Sequence, residues 1–278
     1  MVSESSLNKS GFFNKKTQFL APLLGLLGLL AMPVLAQPEP TNNPVTQPVA
    51  EHWLACQQQQ LARLEDVEFE YVAELSGIKV ASKRWLDQTE SGRWRLQSKA
   101  HWLFLGIEER SVFALPDWQL HSFKHERQGM SSKHNVDIRV DDSAGQYSAD
   151  ARDKIKTYDY QGLLYDELNH QLRLQMDLAC APEREDFTYH IAKRKGIKAY
   201  RYQKLGEESV KTEAGTFQAI KLEKLDDEST TVVWLAKELA YAVVKLVHEE
   251  DGDRNSLSIK KRPRLNAAPA VVADTPGG

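Results

Sequence analysis

The chain has 278 residues, with 36 lysines and arginines against 39 aspartates and glutamates, and a net charge of −3. A balance this near neutral and slightly acidic argues against a general nucleic-acid binder, which needs a cationic surface. There are only two cysteines and no Cys-x-x-Cys spacing, so nothing points to a dithiol redox centre.

Lys15 and Lys16 precede an apolar run of 18 residues, Phe19 to Ala36, which closes with Pro33-Val34-Leu35-Ala36. A short cationic start, an apolar stretch and small residues at −3 and −1 predict a signal peptide over residues 1–36, cleaved after Ala36. The mature protein is therefore expected in the periplasm. No Cys follows the run, so no lipid anchor is indicated. An uncleaved membrane anchor is the alternative, but Pro22, Gly25, Gly28 and Pro33 interrupt a run already short of the ~20 residues that span a bilayer. No second run approaches that length, so no stable transmembrane anchor is expected after cleavage. The mature chain keeps 33 basic and 38 acidic residues.

Residues 37–50 are rich in Pro, Asn, Gln and Thr and read as a flexible leader. A short helix is expected over His52–Leu64, with Trp53, Leu54, Leu61 and Leu64 as its apolar positions. The body, residues 51–263, is then one β-rich domain, followed by a disordered tail over 264–278.

Within that body the dominant period is two. Val67, Phe69, Tyr71, Ala73 and Leu75 alternate with Glu68, Glu70, Val72 and Glu74, the pattern of a half-buried strand. Ser76-Gly77 turns the chain into a second strand over 78–87, and Glu90-Ser91-Gly92 into a third over 93–100. Further strands are expected at 107–114, 118–126, 134–141 and 145–149. From Gly162 to Cys180 the period changes: Leu164, Leu168, Leu172 and Met176 recur every four residues and predict a helix. Strands resume at 186–192, 197–205, 207–211, 215–225, 229–236, 240–249 and 254–261, with Gly196, Gly206, Gly215 and Gly252 between them. The fold class is mainly β: a single strongly curved antiparallel sheet, a half-barrel-like meander, with one central helix packed against it.

Cys56 and Cys180 both fall in the exported part, where one disulfide is the default reading and two buried free thiols the alternative. A bridge closing 124 residues would contribute ~4–5 kcal/mol in the chain-entropy model. Motifs of catalysis are absent: no glycine-rich phosphate loop, no HExxH, no GxSxG and no Cys/His cluster. His121 and His125 lie about 13 Å apart along a strand, too far to share one ion. Asp137, Asp141, Asp142, Asp150 and Asp153 lack calcium-loop spacing and read as solvated. Lys260, Lys261, Arg262 and Arg264 read as a charged strand end. Six tryptophans (53, 85, 94, 102, 118 and 234) are the remaining signal, since a curved sheet of this size either encloses an apolar ligand or is filled by its own side chains and the helix.

The run Glu68-Phe69-Glu70-Tyr71 followed by Gly77-Ile78-Lys79-Val80 resembles the opening hairpin of the domain of unknown function 3108 family. Trp102-Leu103-Phe104, Glu109 to Phe113 and Phe123 to Gly129 continue the likeness, with His125 where the family tends to carry an aromatic. The segment from Tyr165 to Leu178, then Gly206-Glu207-Glu208, Thr212 to Phe217 and Val233-Trp234-Leu235-Ala236, follow in the family's order. Tyr241-Ala242-Val243-Val244 departs from its usual Tyr-Leu-Pro-Val. The resemblance spans about 66–261 and implies a curved antiparallel sheet and an envelope address, with no catalytic, cofactor-binding or metal residues to carry over. No cofactor and no enzymatic activity are expected. The expected partner is a lipid or other apolar envelope ligand held in the concave face; the alternative is an interaction module for another envelope protein.

Overall fold

The computed structural model describes residues 46–75, 77–129, 132–152, 154–225 and 229–268. The expected signal peptide, most of the leader and residues 269–278 of the tail lie outside the described residues. A helix, α1 (Thr46–Leu64), leads into eight strands: β1 (Phe69–Leu75), β2 (Ile78–Gln88), β3 (Trp94–Trp102), β4 (Leu105–Ala114), β5 (Gln119–Gln128), β6 (Val136–Asp141), β7 (Gln146–Ala151) and β8 (Lys154–Asp159). After helix α2 (Asn169–Cys180) come β9 (Asp186–Lys193), β10 (Gly196–Thr212), β11 (Gly215–Leu225), β12 (Ser229–Ala236), β13 (Ala242–Glu250) and β14 (Asp253–Ile259).

All fourteen strands form one antiparallel sheet in the order β8-β7-β6-β5-β4-β3-β2-β1-β14-β13-β12-β11-β10-β9. The first and last strands of the chain thus pair at its centre, with Tyr71 opposite Ile259. The free edges are β8 and β9, which are not hydrogen-bonded to each other as strands. Tyrosines cross the gap instead: the Tyr147 and Tyr158 hydroxyls donate to the carbonyls of Lys193 and Arg194 at 3.0 Å each.

Alternation decides which face is concave. Phe69, Tyr71 and Ala73 are buried, and the register carries that face across to Ser82, Leu86 and Leu96, then to Ser111 and Phe123. Helix α2 lies on this face, with Leu172, Met176 and Leu178 at most 3% exposed in one core with Phe113, Phe123, Ile138 and Phe187. Each such side chain contributes about 1.5–3 kcal/mol through burial. Helix α1 packs on α2 and buries Leu61 and Leu64.

Several boundaries differ from the sequence reading. Helix α1 begins at Thr46, inside the stretch expected to be a flexible leader. The central helix begins at Asn169 rather than Gly162, because Tyr165 is extended and bridges β9: its N–H donates to the His190 carbonyl and its carbonyl accepts from Ala192. Leu164 and Leu168 are buried before the helix starts, which is why the four-residue spacing ran too far back. The strands expected at 197–205 and 207–211 are one strand of 17 residues, β10, with a register shift between Lys204 and Gly206. Strand β8 was not anticipated, for its side chains are exposed except at Tyr158 and show no apolar alternation.

The tail departs from expectation as well. Leu265 packs against the core, and Asn266 closes the C-terminal end of α1. Its Nδ2 donates to the carbonyls of Ala62 (3.1 Å) and Glu65 (2.8 Å), and its backbone N–H to that of Arg63 (3.1 Å). The last carbonyls of a helix lack intrahelical donors, and here a residue some 200 positions later supplies them.

Candidate functional site

The concave face is filled in its middle and lower parts by α2 and by a network of polar groups. Asp166 Oδ1 accepts the backbone N–H groups of Leu168 (2.7 Å) and Asn169 (2.8 Å), capping the start of α2, while Oδ2 accepts the Ser111 hydroxyl. Burial outweighs these hydrogen bonds and pushes the Asp166 carboxyl up to about 7. His170 bonds the Asp166 carbonyl through Nδ1 (2.9 Å) and the Tyr202 hydroxyl through Nε2 (3.0 Å). Its burial lowers it to about 4, so at neutral pH Nδ1–H donates to the carbonyl and Nε2 accepts from the tyrosine.

Farther down α2, Asp177 accepts from Arg173 Nε (3.0 Å) and from the Tyr189 hydroxyl (2.7 Å). The Arg173 guanidinium lies over the rings of Trp53 (4.4 Å) and Trp118 (5.4 Å), tying α1 to β5 through α2. Cys56 on α1 and Cys180 at the end of α2 are joined by a disulfide, with Cα atoms 5.7 Å apart. Ser111 and Asp166 are wholly buried. A cavity of about 30 Å³ lies between Leu64, Tyr71, Leu86 and Leu172, room for a water molecule but not for an acyl chain. Leu164, Leu168 and Leu172 are buried against this part of the concave face.

Above this packing the concave face is open. Ile78, Val80, Ala100, Trp102, Leu105 and Ile107 line a groove of about 170 Å³ at the mouth of the half-barrel. The register places all six on the same face as buried Tyr71 and Ser111, yet Ile78 is 46% and Trp102 40% exposed. Two arginines share that face: Arg127, opposite the groove residue Ile107, and Arg84, opposite Ser98 and lining the small cavity beside Leu172. Arg84 donates from Nη1 to Gln171 Oε1 (2.8 Å), but its Nε and that of Arg127 are buried donors without a hydrogen-bond partner. Buried donors of this kind are normally satisfied. Beside them His125 and Glu109 pair at 3.0 Å.

Other sequence candidates fall elsewhere. His121 sits where β5 bulges against β4, apart from His125. Asp137 pairs with Arg139, Asp141 with Ser143, and Asp142 with Gln119 and Tyr160. Among the described residues no three His, Cys, Asp or Glu side chains converge on a metal position. Lys261 pairs with Glu70, and Arg262 pairs with Glu238 while lying over Phe217. Two larger surface cavities lie at the opposite rim: one of about 300 Å³ between α1 and Leu115-Pro116, and a polar one of about 230 Å³ beside Asp117, Asp142 and Tyr160. No described helix is long and apolar enough to cross a membrane.

The sequence reading missed the mouth and these arginines. A signal existed: Ser82, Arg84, Ser98, Glu109, Ser111, His125 and Arg127 are polar at positions whose parity points inward. Polar residues there mark either a buried network or a site.

The architecture is that of an open, strongly curved β-meander wrapped on a helix. The chain belongs to the family described as protein of unknown function (DUF3108), whose model matches residues 75–256. No curated protein matches it. Among solved structures it is similar to a β-barrel-like protein of domain of unknown function DUF1849 from Brucella abortus, at 8% identity and a TM-score of 0.48, covering 72% of this chain and 97% of that one. It is similar to the MucA/MucB complex of Pseudomonas aeruginosa at 11% identity and a TM-score of 0.30, covering 81% of this chain and 59% of that one. A putative lipoprotein from Parabacteroides distasonis matches at 9% identity and a TM-score of 0.30, covering 73% and 96%. Likeness this distant bears on no ligand or partner.

Proposed function

We propose that this protein is an exported, non-enzymatic binder of an amphiphilic envelope component, acting in the periplasm after cleavage behind Ala36. It holds part of an apolar chain in the groove at the mouth of the half-barrel rather than a whole lipid inside. The observation that carries this reading is the open groove from Ile78 to Ile107 on an otherwise filled concave face. At about 170 Å³ it falls below the roughly 300–1,000 Å³ of pockets that engulf a ligand, so most of the ligand stays outside. The unpartnered Nε of Arg127, opposite the groove residue Ile107, favours an acidic head group, since charge-assisted bonds to a carboxylate or phosphate are the strong ones.

The test is a titration of the purified protein with a long-chain fatty acid, read by tryptophan emission. A saturable blue shift is expected, abolished by Trp102→Phe as reporter and weakened about ten-fold or more by Val80→Glu. Methylation of the fatty acid should weaken binding too, because Arg127 would then face no charge. No shift with any chain length would contradict the reading.

A further inference from the structure

We propose that the exposed tip of the β3–β4 hairpin, with the cationic loops beside it, docks the mouth of the half-barrel on an anionic lipid bilayer. Trp102 pairs with Leu105, so the turn consists of Leu103 and Phe104 alone. They are 76% and 77% exposed. Leu103 has φ 53°, a left-handed conformation that two-residue hairpin turns normally give to Gly, Asn or Asp. A leucine held there against local preference projects an apolar side chain beyond the sheet. Such strain at an exposed apolar position points to use rather than packing.

The cations lie along the same rim. Gly129 in the β5–β6 loop approaches the tip so closely that a Cβ there would stand 2.5 Å from the Phe104 carbonyl oxygen. Farther along that loop the Lys133 carbonyl accepts from Arg152 Nε (3.2 Å) and Arg194 Nη1 (2.6 Å). Three connections of the chain thus meet at the Lys133 carbonyl and bring Lys133, Arg152 and Arg194 together on the rim that carries the tip. Partial desolvation and the surrounding cations Arg127, Lys133, Arg194 and Arg152 lower the pKa of His134 at their centre. The β13–β14 turn elsewhere on the rim carries Glu250, Asp251 and Asp253, so the docking turns the β3–β8 side to the anionic surface.

Aromatic and aliphatic side chains reaching below the head groups, with Lys and Arg at head-group level, are what an interfacial anchor requires. A protein partner of standard size would cover roughly 800 Å² per side, far more than a two-residue tip offers. Docking needs no ligand in the groove, but it would set the groove against the source of an amphiphile.

The test is co-sedimentation of the exported chain with vesicles of phosphatidylethanolamine and phosphatidylglycerol, against vesicles of phosphatidylcholine. Preferential binding to the anionic vesicles, weakened by salt, is expected. Lys133→Gln and Arg152→Gln should each lower affinity about five-fold, the equivalent of one cation at the surface. The double variant Leu103→Ser/Phe104→Ser should lose more than ten-fold while keeping the wild-type thermal midpoint, since both side chains are exposed. Equal binding to both vesicle types, or an unchanged affinity in the double variant, would overturn the proposal. Binding to neither vesicle would overturn it too and leave the tip to a protein partner. Fatty-acid titration of the same double variant reads the groove separately, so failure of one reading is distinguishable from failure of the other.

Discussion

Two buried residues, Asp166 and His170, titrate in opposite directions. His170 is lowered to about 4 from an ordinary 6.5. Between those values the unfolded chain takes up a proton that the folded chain refuses, so this residue costs stability as the pH falls from 6.5 to 4. Asp166 is raised to about 7 from 3.8. Across that window the folded chain keeps a proton the unfolded chain has released, so its contribution declines as the pH rises and stays low above 7. The two effects offset each other in the acid range. In Asp166→Asn the carboxamide oxygen can still accept from Leu168 and Asn169, but the titration is gone. The thermal midpoint of this variant should fall more steeply from pH 6.5 to 4 than that of the wild type. Parallel curves would mean that Asp166 is ionised throughout.

At the scale of elements, what was readable and what was not divides on locality. Strands such as β1 were legible because their alternation records a wet and a dry face, each residue reporting its own burial. Strand β8 was not, because an edge strand exposed on nearly every side chain leaves no such record. The end of α1 depends on Asn266, which no local pattern could supply. Ser111 and Asp166 are 55 residues apart in sequence and meet only when β4 faces α2. Inward parity could have exposed that network, had the polar residues of β2 to β5 been read as a set. Asn266→Ala removes two side-chain hydrogen bonds to the end of α1 and should cost about 1 kcal/mol. That corresponds to a midpoint roughly 2–4 °C lower. An unchanged midpoint, with unchanged amide exchange at the end of α1, would show that water replaces Asn266 without loss.

For the whole molecule, α2 packs on the middle of the concave face while the end at Ile78 and Trp102 stays open. Helix α2, the disulfide to α1 and the buried network fix the lower part as a rigid support. The groove and the apolar tip lie at the other end, with Arg127 opposite the groove residue Ile107. The proposed function thus places binding at the mouth and support in the packed base. Native mass spectrometry tests it most directly, on protein purified from the periplasm without detergent and compared with Val80→Glu. The expected result is a reproducible extra mass, identified as an acidic amphiphile after extraction, on the wild type and missing from the variant. A clean ligand-free mass for the wild type, or the same adduct retained by Val80→Glu, would contradict it.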